Sequence, residues 1–246
     1  MTTKTQAMKQ KLSALGDPRV IDLLARLHVE ADRQNLTLVG RFLSQLPRLL
    51  QGKPLSWERL TPRLSDLYLA LDADNGLWCY LLIRALGARR VVELGTSMGI
   101  STIYLALAVR DNGGGTVIGT EIVPEKAARA RQNLSAAGLL SFVDLRVGDA
   151  RETLKHEREP IQFLLNDAFP ATALPVLQQL TPQLAQGAVV MCGNAALFPA
   201  DHAEYLSWVR NPEHGFRSMH LPMKFAGEFS VKTGSAVHCE RADTSE

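Results

Sequence analysis

Apolar and polar positions change rhythm once along this chain. Up to about residue 86 the apolar residues recur at intervals of three and four, the spacing that lines one face of a helix. Val20, Leu23, Leu24, Leu27 and Ala31 predict a helix over about 17–33, with Asp17 at its N-cap and Pro18 in its first turn. His28 lies beside that stripe and reads as a partly buried packing residue. Leu38, Phe42, Leu46 and Leu50 predict a second helix over about 36–50, broken at Gly52-Lys53-Pro54. Residues 1–16 are polar and are expected to be frayed or loosely helical. The run 61–73 fits either a helix or an extended approach. Asp72 and Asp74 then offer N-caps for a helix over about 74–86, which Gly87 ends.

From residue 90 the rhythm becomes an alternation of short apolar runs and helical stretches. Strands are expected near 90–94, 116–121, 142–147, 161–166 and 188–191. Helices are expected to open at Ser101-Thr102, at Pro124, after Gly148-Asp149-Ala150 and near 171. Asp201 is placed to cap a further helix through Tyr205, Leu206 and Val209, and residues 217–221 and 229–231 read as closing strands. This order predicts an α/β fold of βαβ units around a mostly parallel sheet with right-handed crossovers. Residues 1–60 form a helical cap within the same unit, 61–240 the main domain, and 241–246 a disordered tail.

Composition narrows the partners more than the fold. A chain of 246 residues with 46% hydrophobic content buries a core without staples. A net charge of +2, no long basic run and 6% aromatic residues give no reason to expect nucleic acid. No run of about 18 apolar residues exists, so no membrane partner is expected. Three widely spaced cysteines, Cys79, Cys192 and Cys239, lack any zinc spacing and suggest reduced thiols in the cytoplasm. The apolar N-terminal helices make a homodimer a reasonable expectation.

The chemistry concentrates at strand ends. Val91-Val92-Glu93-Leu94-Gly95-Thr96-Ser97-Met98-Gly99 reads as a buried strand running into a glycine turn, with Ile100, Ser101 and Thr102 opening a helix. Glu93, Glu121, Asp149 and Asp167 all fall at or just beyond strand C-termini, which share one crevice in an open parallel sheet. Glu121 suits the two hydroxyls of a ribose, or serves as a helix N-cap. Asp149 in Gly148-Asp149-Ala150 could accept from an adenine amino group, or cap the next helix. The turn is Gly95-x-x-x-Gly99, without the G-x-G-x-x-G of a dinucleotide site, and Glu93 beside it would repel a pyrophosphate. An ammonium- or sulfonium-bearing nucleoside fits better, which points to S-adenosylmethionine.

At these residues the chain resembles the class I S-adenosylmethionine-dependent methyltransferases, and more narrowly the catechol O-methyltransferase-like family of bacterial O-methyltransferases. Glu93-Leu-Gly95-Thr96-Ser97-Met-Gly99-Ile-Ser101-Thr102, Gly-Thr-Glu121-Ile122 and Val-Gly148-Asp149-Ala150 carry the likeness, with Leu174-Pro175-Val176-Leu177 and Gly187-Ala188-Val189-Val190 extending it. It implies a Rossmann-like methyltransferase fold with helices on both faces and antiparallel C-terminal strands. It also implies a donor site at Glu93, Gly95, Thr96, Ser97, Gly99, Ser101, Glu121, Ile122, Gly148, Asp149, Ala150 and Asp167, and methyl transfer to the hydroxyl oxygen of a small-molecule acceptor.

The family binds a divalent metal through an Asp after the fourth strand and an Asp-Asn pair after the fifth. Asp167 matches the first, but the pair falls at Gly193-Asn194, and the family's frequent Lys falls at Pro170. Asn166 stands where an apolar residue is usual. One carboxylate and one amide are a poor set for Mg²⁺; a weak Mg²⁺ site stays open as an alternative, and no metal ligand is assigned. Asp167 and Asn194 are then the residues expected at the reacting end, with Asp167, His202 and His220 as candidate bases. Trp78, Tyr68 and the N-terminal helices are candidates for the acceptor pocket, or equally for core or dimer contacts. A donor site beside a depleted metal site also suits a protein that binds S-adenosylmethionine in a regulatory, non-methylating role.

Overall fold

The structure, a computed structural model, describes residues 3–51, 55–195, 198–222 and 227–234. The expected break at Gly52-Lys53-Pro54, the tail at 241–246 and Cys239 lie outside the described residues. The N-terminal part runs α1 (Thr3–Lys11), α2 (Pro18–Arg33), α3 (Asn35–Leu43), α4 (Leu46–Leu49), α5 (Trp57–Leu60) and α6 (Ala73–Leu86). The rest alternates: β1 (Arg90–Leu94), α7 (Ile100–Asp111), β2 (Thr116–Glu121), α8 (Pro124–Ala137), β3 (Val143–Val147), α9 (Ala150–Thr153), β4 (Ile161–Asn166), α10 (Pro170–Leu180), β5 (Leu184–Cys192), α11 (Ala203–Arg210), β6 (Phe216–His220) and β7 (Glu228–Lys232).

The seven strands form one sheet in the order β3-β2-β1-β4-β5-β7-β6. The first five are parallel; β7 pairs antiparallel with β5, and β6 antiparallel with β7. Successive side chains of a strand point to opposite faces, and here both faces are apolar. Val91, Phe163, Leu165, Val189 and Met191 enter a core shared with α2, α6, α7 and α8. Val92, Leu94, Leu164, Val190 and Cys192 enter a second core with α9, α10 and α11. That is why the central strands read as continuous apolar runs. It is the Rossmann-like architecture, with a mostly parallel sheet and antiparallel C-terminal strands.

Several local expectations hold at the level of single bonds. The Asp17 carboxylate accepts from the Arg19 and Val20 amides, and Asp72 caps α6 by accepting from Asp74 and Asn75. Gly87 and Gly138 close α6 and α8 in the left-handed conformation. His28 is buried and sits 2.8 Å from the Tyr104 hydroxyl through Nε2; burial lowers its pKa to about 4, so it stays neutral.

Three expectations are corrected, and two that stood open are settled. The helix over 36–50 is two pieces, α3 and α4. Pro47 has no amide to give Leu43, so the helix cannot run through. The polar residues at the N-terminus form α1 and a tight turn over Leu12–Leu15, whose two leucines are buried in the first core. The undecided run after residue 60 is a 3-10 turn at Thr61–Leu64 followed by extended chain, where the Tyr68 amide donates to Gln34 Oε1. Asp201 does not cap α11; His202 takes that position without a side-chain bond. Strand β5 also begins earlier than 188, because Leu184 pairs with Ile161 across a register shift.

Candidate functional site

The crevice sits where the C-terminal ends of β1, β2, β4 and β5 meet. Strand β1 turns at Gly95, whose φ of 84° is open to glycine at little cost. A Cβ there would come 2.7 Å from the Asp167 carbonyl oxygen, so the β1 and β4 loops touch only because residue 95 has no side chain. Gly99, at φ 85°, lets the same loop pack on α8: a Cβ would lie 3.1 Å from Ala130 Cα. Ser97 between them holds φ 50°, a strained value for a residue with a side chain.

Two carboxylates fix this loop. Glu121 Oε2 accepts from the Ser97 amide at 2.7 Å and Oε1 from the Val123 amide at 2.8 Å. The carboxylate is thereby aimed, with lone pairs left over for a ligand's hydroxyls. Glu93 is fully buried beneath the loop. Its Oε2 accepts from the hydroxyls of Thr96, at 2.8 Å, and Thr102. Burial pushes its pKa up, against the pull of the Ser101, Thr102 and Thr96 hydroxyls.

One cavity of ≈ 330 Å³ opens over these loops. Gly95, Ser97, Glu121, Ile122, Gly148, Asp149 and Ala150 line one end, with Asp167 and Asn194 also in the wall. Nine of the expected residues thus share one space. Ser101 and Thr96 instead line a small cleft beside it with Tyr68, Leu69, Ala70 and Ser97. Glu93 and Gly99 line neither and support the loop from behind. The Ser97 hydroxyl is buried without a hydrogen-bond partner among the described residues, a group that a polar ligand would satisfy. Asp149 accepts from the Arg151 amide as the N-cap of α9 and also holds the Arg151 guanidinium, with Nε at 3.0 Å from both oxygens. The Arg151 hydrogen bond holds its carboxyl below the usual range.

At the other end, Asp167 follows β4. Burial, and secondarily the nearby Glu93 carboxylate, push its pKa up to about 7. Asn194 donates through Nδ2 to the Ala168 carbonyl at 2.8 Å, while its Oδ1 faces the Cys192 thiol at 3.7 Å. A Cβ on Gly193 would lie 3.1 Å from Asp167 Oδ1. Among the described residues no three His, Cys, Asp or Glu side chains cluster as a metal site would need. One carboxylate beside one amide is a sparse donor set for a hard divalent cation. His202 and His220 lie outside the cavity lining; His202 Nδ1 meets the Phe198 carbonyl, and burial lowers its pKa. Trp78 packs at the edge of the first core.

The wall that the sequence did not disclose is aromatic. Phe42, Trp57, Phe169 and Phe198 all line the cavity. Trp57 lies 5.3 Å from Phe169 and 4.9 Å from Phe198 between ring centroids, and Phe42 stacks on Phe198 at 5.8 Å. These rings come from α3, α5 and the loops after β4 and β5, so no local periodicity links them. Lys126, on α8, is also in the wall; it is 4% exposed and burial lowers its pKa.

Comparison with known proteins bears on this geometry. Residues 92–195 match the family described as a methyltransferase domain. A catechol O-methyltransferase of Mycobacterium tuberculosis is 35% identical over 127 residues, which cover 51% of this chain and 57% of the relative. Over this central part the chain is similar to O-methyltransferases. A catechol O-methyltransferase of Niastella koreensis is 37% identical over 86 residues, 35% of this chain and 38% of the relative. The matches thus span about half the length of these curated relatives. Among solved structures, cofactor-bound Rv0187 from MTB superposes with a TM-score of 0.61 at 26% identity, covering 69% of this chain and 85% of that one. The O-methyltransferase TomG of Streptomyces achromogenes, in complex with SAM, shares the fold at a TM-score of 0.60 and 24% identity, over 70% and 86% of the two chains.

Gly193 departs from the pattern of the family that the chain resembles, and that position can be tested directly. Gly193→Asp would set a second carboxylate against Asp167. Like charges at that range disfavour ionisation of both. With Asp167 as the base of a methyl-transfer reaction, the expected outcome is an acid limb of the pH–rate profile displaced upward in EDTA, and displaced back when Mg²⁺ is added.

Proposed function

We propose that the protein transfers a methyl group from S-adenosylmethionine to a hydroxyl oxygen of a small, apolar acceptor, with Asp167 as the general base and without a divalent metal. The observation that carries the reading is the single cavity. It joins the carboxylate-anchored glycine loop at one end to Asp167 and an aromatic wall at the other. Gly95, Ser97 and Glu121 hold the donor, Glu121 through the ribose hydroxyls. Ile122 and Ala150 flank its adenine. Asp149, committed to Arg151 and the α9 cap, shapes the adenine end rather than reaching across it. Ser101 and Thr96 contact the amino-acid end through the adjoining cleft. The donor supplies an electrophilic methyl on a cationic sulfur. Asp167 takes the acceptor's proton, and Asn194 keeps the 167–169 loop in place through the Ala168 carbonyl. Phe42, Trp57, Phe169 and Phe198 seat the acceptor and keep water out, so that positioning supplies most of the rate.

A carboxyl with a pKa near 7 is matched to such a role at neutral pH, since it is ionised often enough to accept a proton and basic enough to hold it. The sulfonium charge of a bound donor would favour the ionised form further. Turnover of a phenolic or other hydroxylated acceptor is expected to be unchanged by EDTA, followed by mass spectrometry of the methylated product. Donor binding by calorimetry with no transfer to any hydroxylated acceptor would instead favour the non-methylating role that the Gly193 position leaves open.

A further inference from the structure

The cap helices carry a surface that the cavity does not explain. Leu38 and Phe42 of α3 face inward and line the chamber. The outward face of α3 and α4 carries Leu36, Val39, Leu43, Leu46 and, just beyond, Leu50, at intervals of three and four. All five are exposed, Leu36 at 87% and Leu50 at 79%. An apolar stripe of that kind on a folded protein marks an interaction surface.

Charge indicates what covers it. Residues 33–66 contain six Lys or Arg and two Asp or Glu, a balance of +4 in a chain whose total is +2, so the remainder is net acidic. Arg41 is committed to Asp66, but Arg33, Arg59 and Arg63 are exposed. Arg33 ends α2, and Arg59 and Arg63 follow α4 in the chain, so the exposed leucine face is flanked in sequence by basic residues, a combination that suits a segment lying in a lipid–water interface, apolar side down, drawn by anionic headgroups. A second copy of the chain suits it less well. A two-fold contact through this face would set the same basic stretch against itself, and two heptads of stripe are short for a coiled-coil seam. Among the described residues no helix can cross a membrane, but lying on a surface requires no such helix. We propose that the α3–α4 face docks the protein on an anionic lipid surface, with the inward side chains Leu38 and Phe42 of α3 lining the apolar chamber.

The full chain, sedimented with vesicles of phosphatidylcholine containing about one-third phosphatidylglycerol, tests this. Binding is expected, weaker on pure phosphatidylcholine and weaker at high salt. The double variant Leu36→Ser/Leu50→Ser should bind about tenfold less tightly, while donor affinity and turnover of a water-soluble acceptor stay unchanged, since neither residue lines the cavity. Arg59→Gln/Arg63→Gln should flatten the salt dependence. No binding by the wild-type chain, or binding unaffected by the leucine substitutions, overturns the proposal. So does a dimer in solution, dissolved by the same substitutions, from a protein that ignores vesicles. A protein that docks but transfers no methyl group leaves this proposal standing and removes the functional one.

Discussion

Replacing Asp167 with asparagine is expected to lower kcat by roughly 10²–10⁴-fold, the usual worth of a positioned general base, while donor affinity changes only a few-fold. The amide keeps the shape of the side chain and the packing around Gly95 and Gly193, but it cannot accept the acceptor's proton. Two readouts separate this from a structural defect. First, the acid limb of kcat/KM, which reports the free enzyme and is expected near pH 7, should disappear in the variant. Second, stability should move the other way. The folded-state pKa of Asp167 lies above its unfolded value of 3.8. This group's contribution is therefore fully present below pH 3.8 and is lost as pH rises through about 7. Asp167→Asn removes that dependence, so thermal unfolding should show the variant gaining on the wild type between pH 5 and pH 8. A variant less stable at pH 8 and equally slow at all pH values would indicate a packing role only.

Glu121→Ala is expected to act on binding rather than on chemistry. The carboxylate holds two backbone amides, those of Ser97 and Val123, and in the proposed function its remaining lone pairs serve the ribose. Hydrogen bonds to a charged group are worth about 1.5–3 kcal/mol each, so losing the ribose contacts alone should weaken the donor by roughly 100-fold in calorimetry. The Ser97 amide would also lose its acceptor while its residue sits at a φ of 50°. Some loss of thermal stability should accompany the loss of affinity, and saturating donor should recover much of the rate. Glu121→Gln should lie between the two, since its amide oxygen can still accept while its charge is gone.

The parts of this molecule legible in its sequence are those set by local rules. Strand β1 and its glycine turn could be read because Val91, Val92 and Leu94 must be apolar on both faces and because only glycine fits at 95. The caps of Asp17 and Asp72 are bonds across two or three residues, and they formed as their spacing implied. The acidic residues at strand ends were legible for a related reason: a parallel sheet brings all its C-termini to one side. What escaped was decided by tertiary contact. Glu93 looked like a ligand-facing charge, yet its partners are Thr96 and Thr102 beneath the loop. Asp149 admits an adenine contact or a helix cap, and the cap is the one that the fold forms, with Arg151 held beside it. The aromatic wall joins residues 42, 57, 169 and 198, a separation that no pattern along the chain can signal. Pro47 was in plain view and should have divided the helix expected over 36–50.

The central claim is that this donor loop serves oxygen methylation driven by a buried carboxyl rather than by a metal ion. Its most direct test is the rate of methyl transfer from S-adenosylmethionine to a hydroxylated acceptor, measured in excess EDTA from about pH 5.5 to 9. The account predicts product throughout, with kcat/KM falling about tenfold per unit below a pKa near 7. Product that forms only after Mg²⁺ is restored would contradict it.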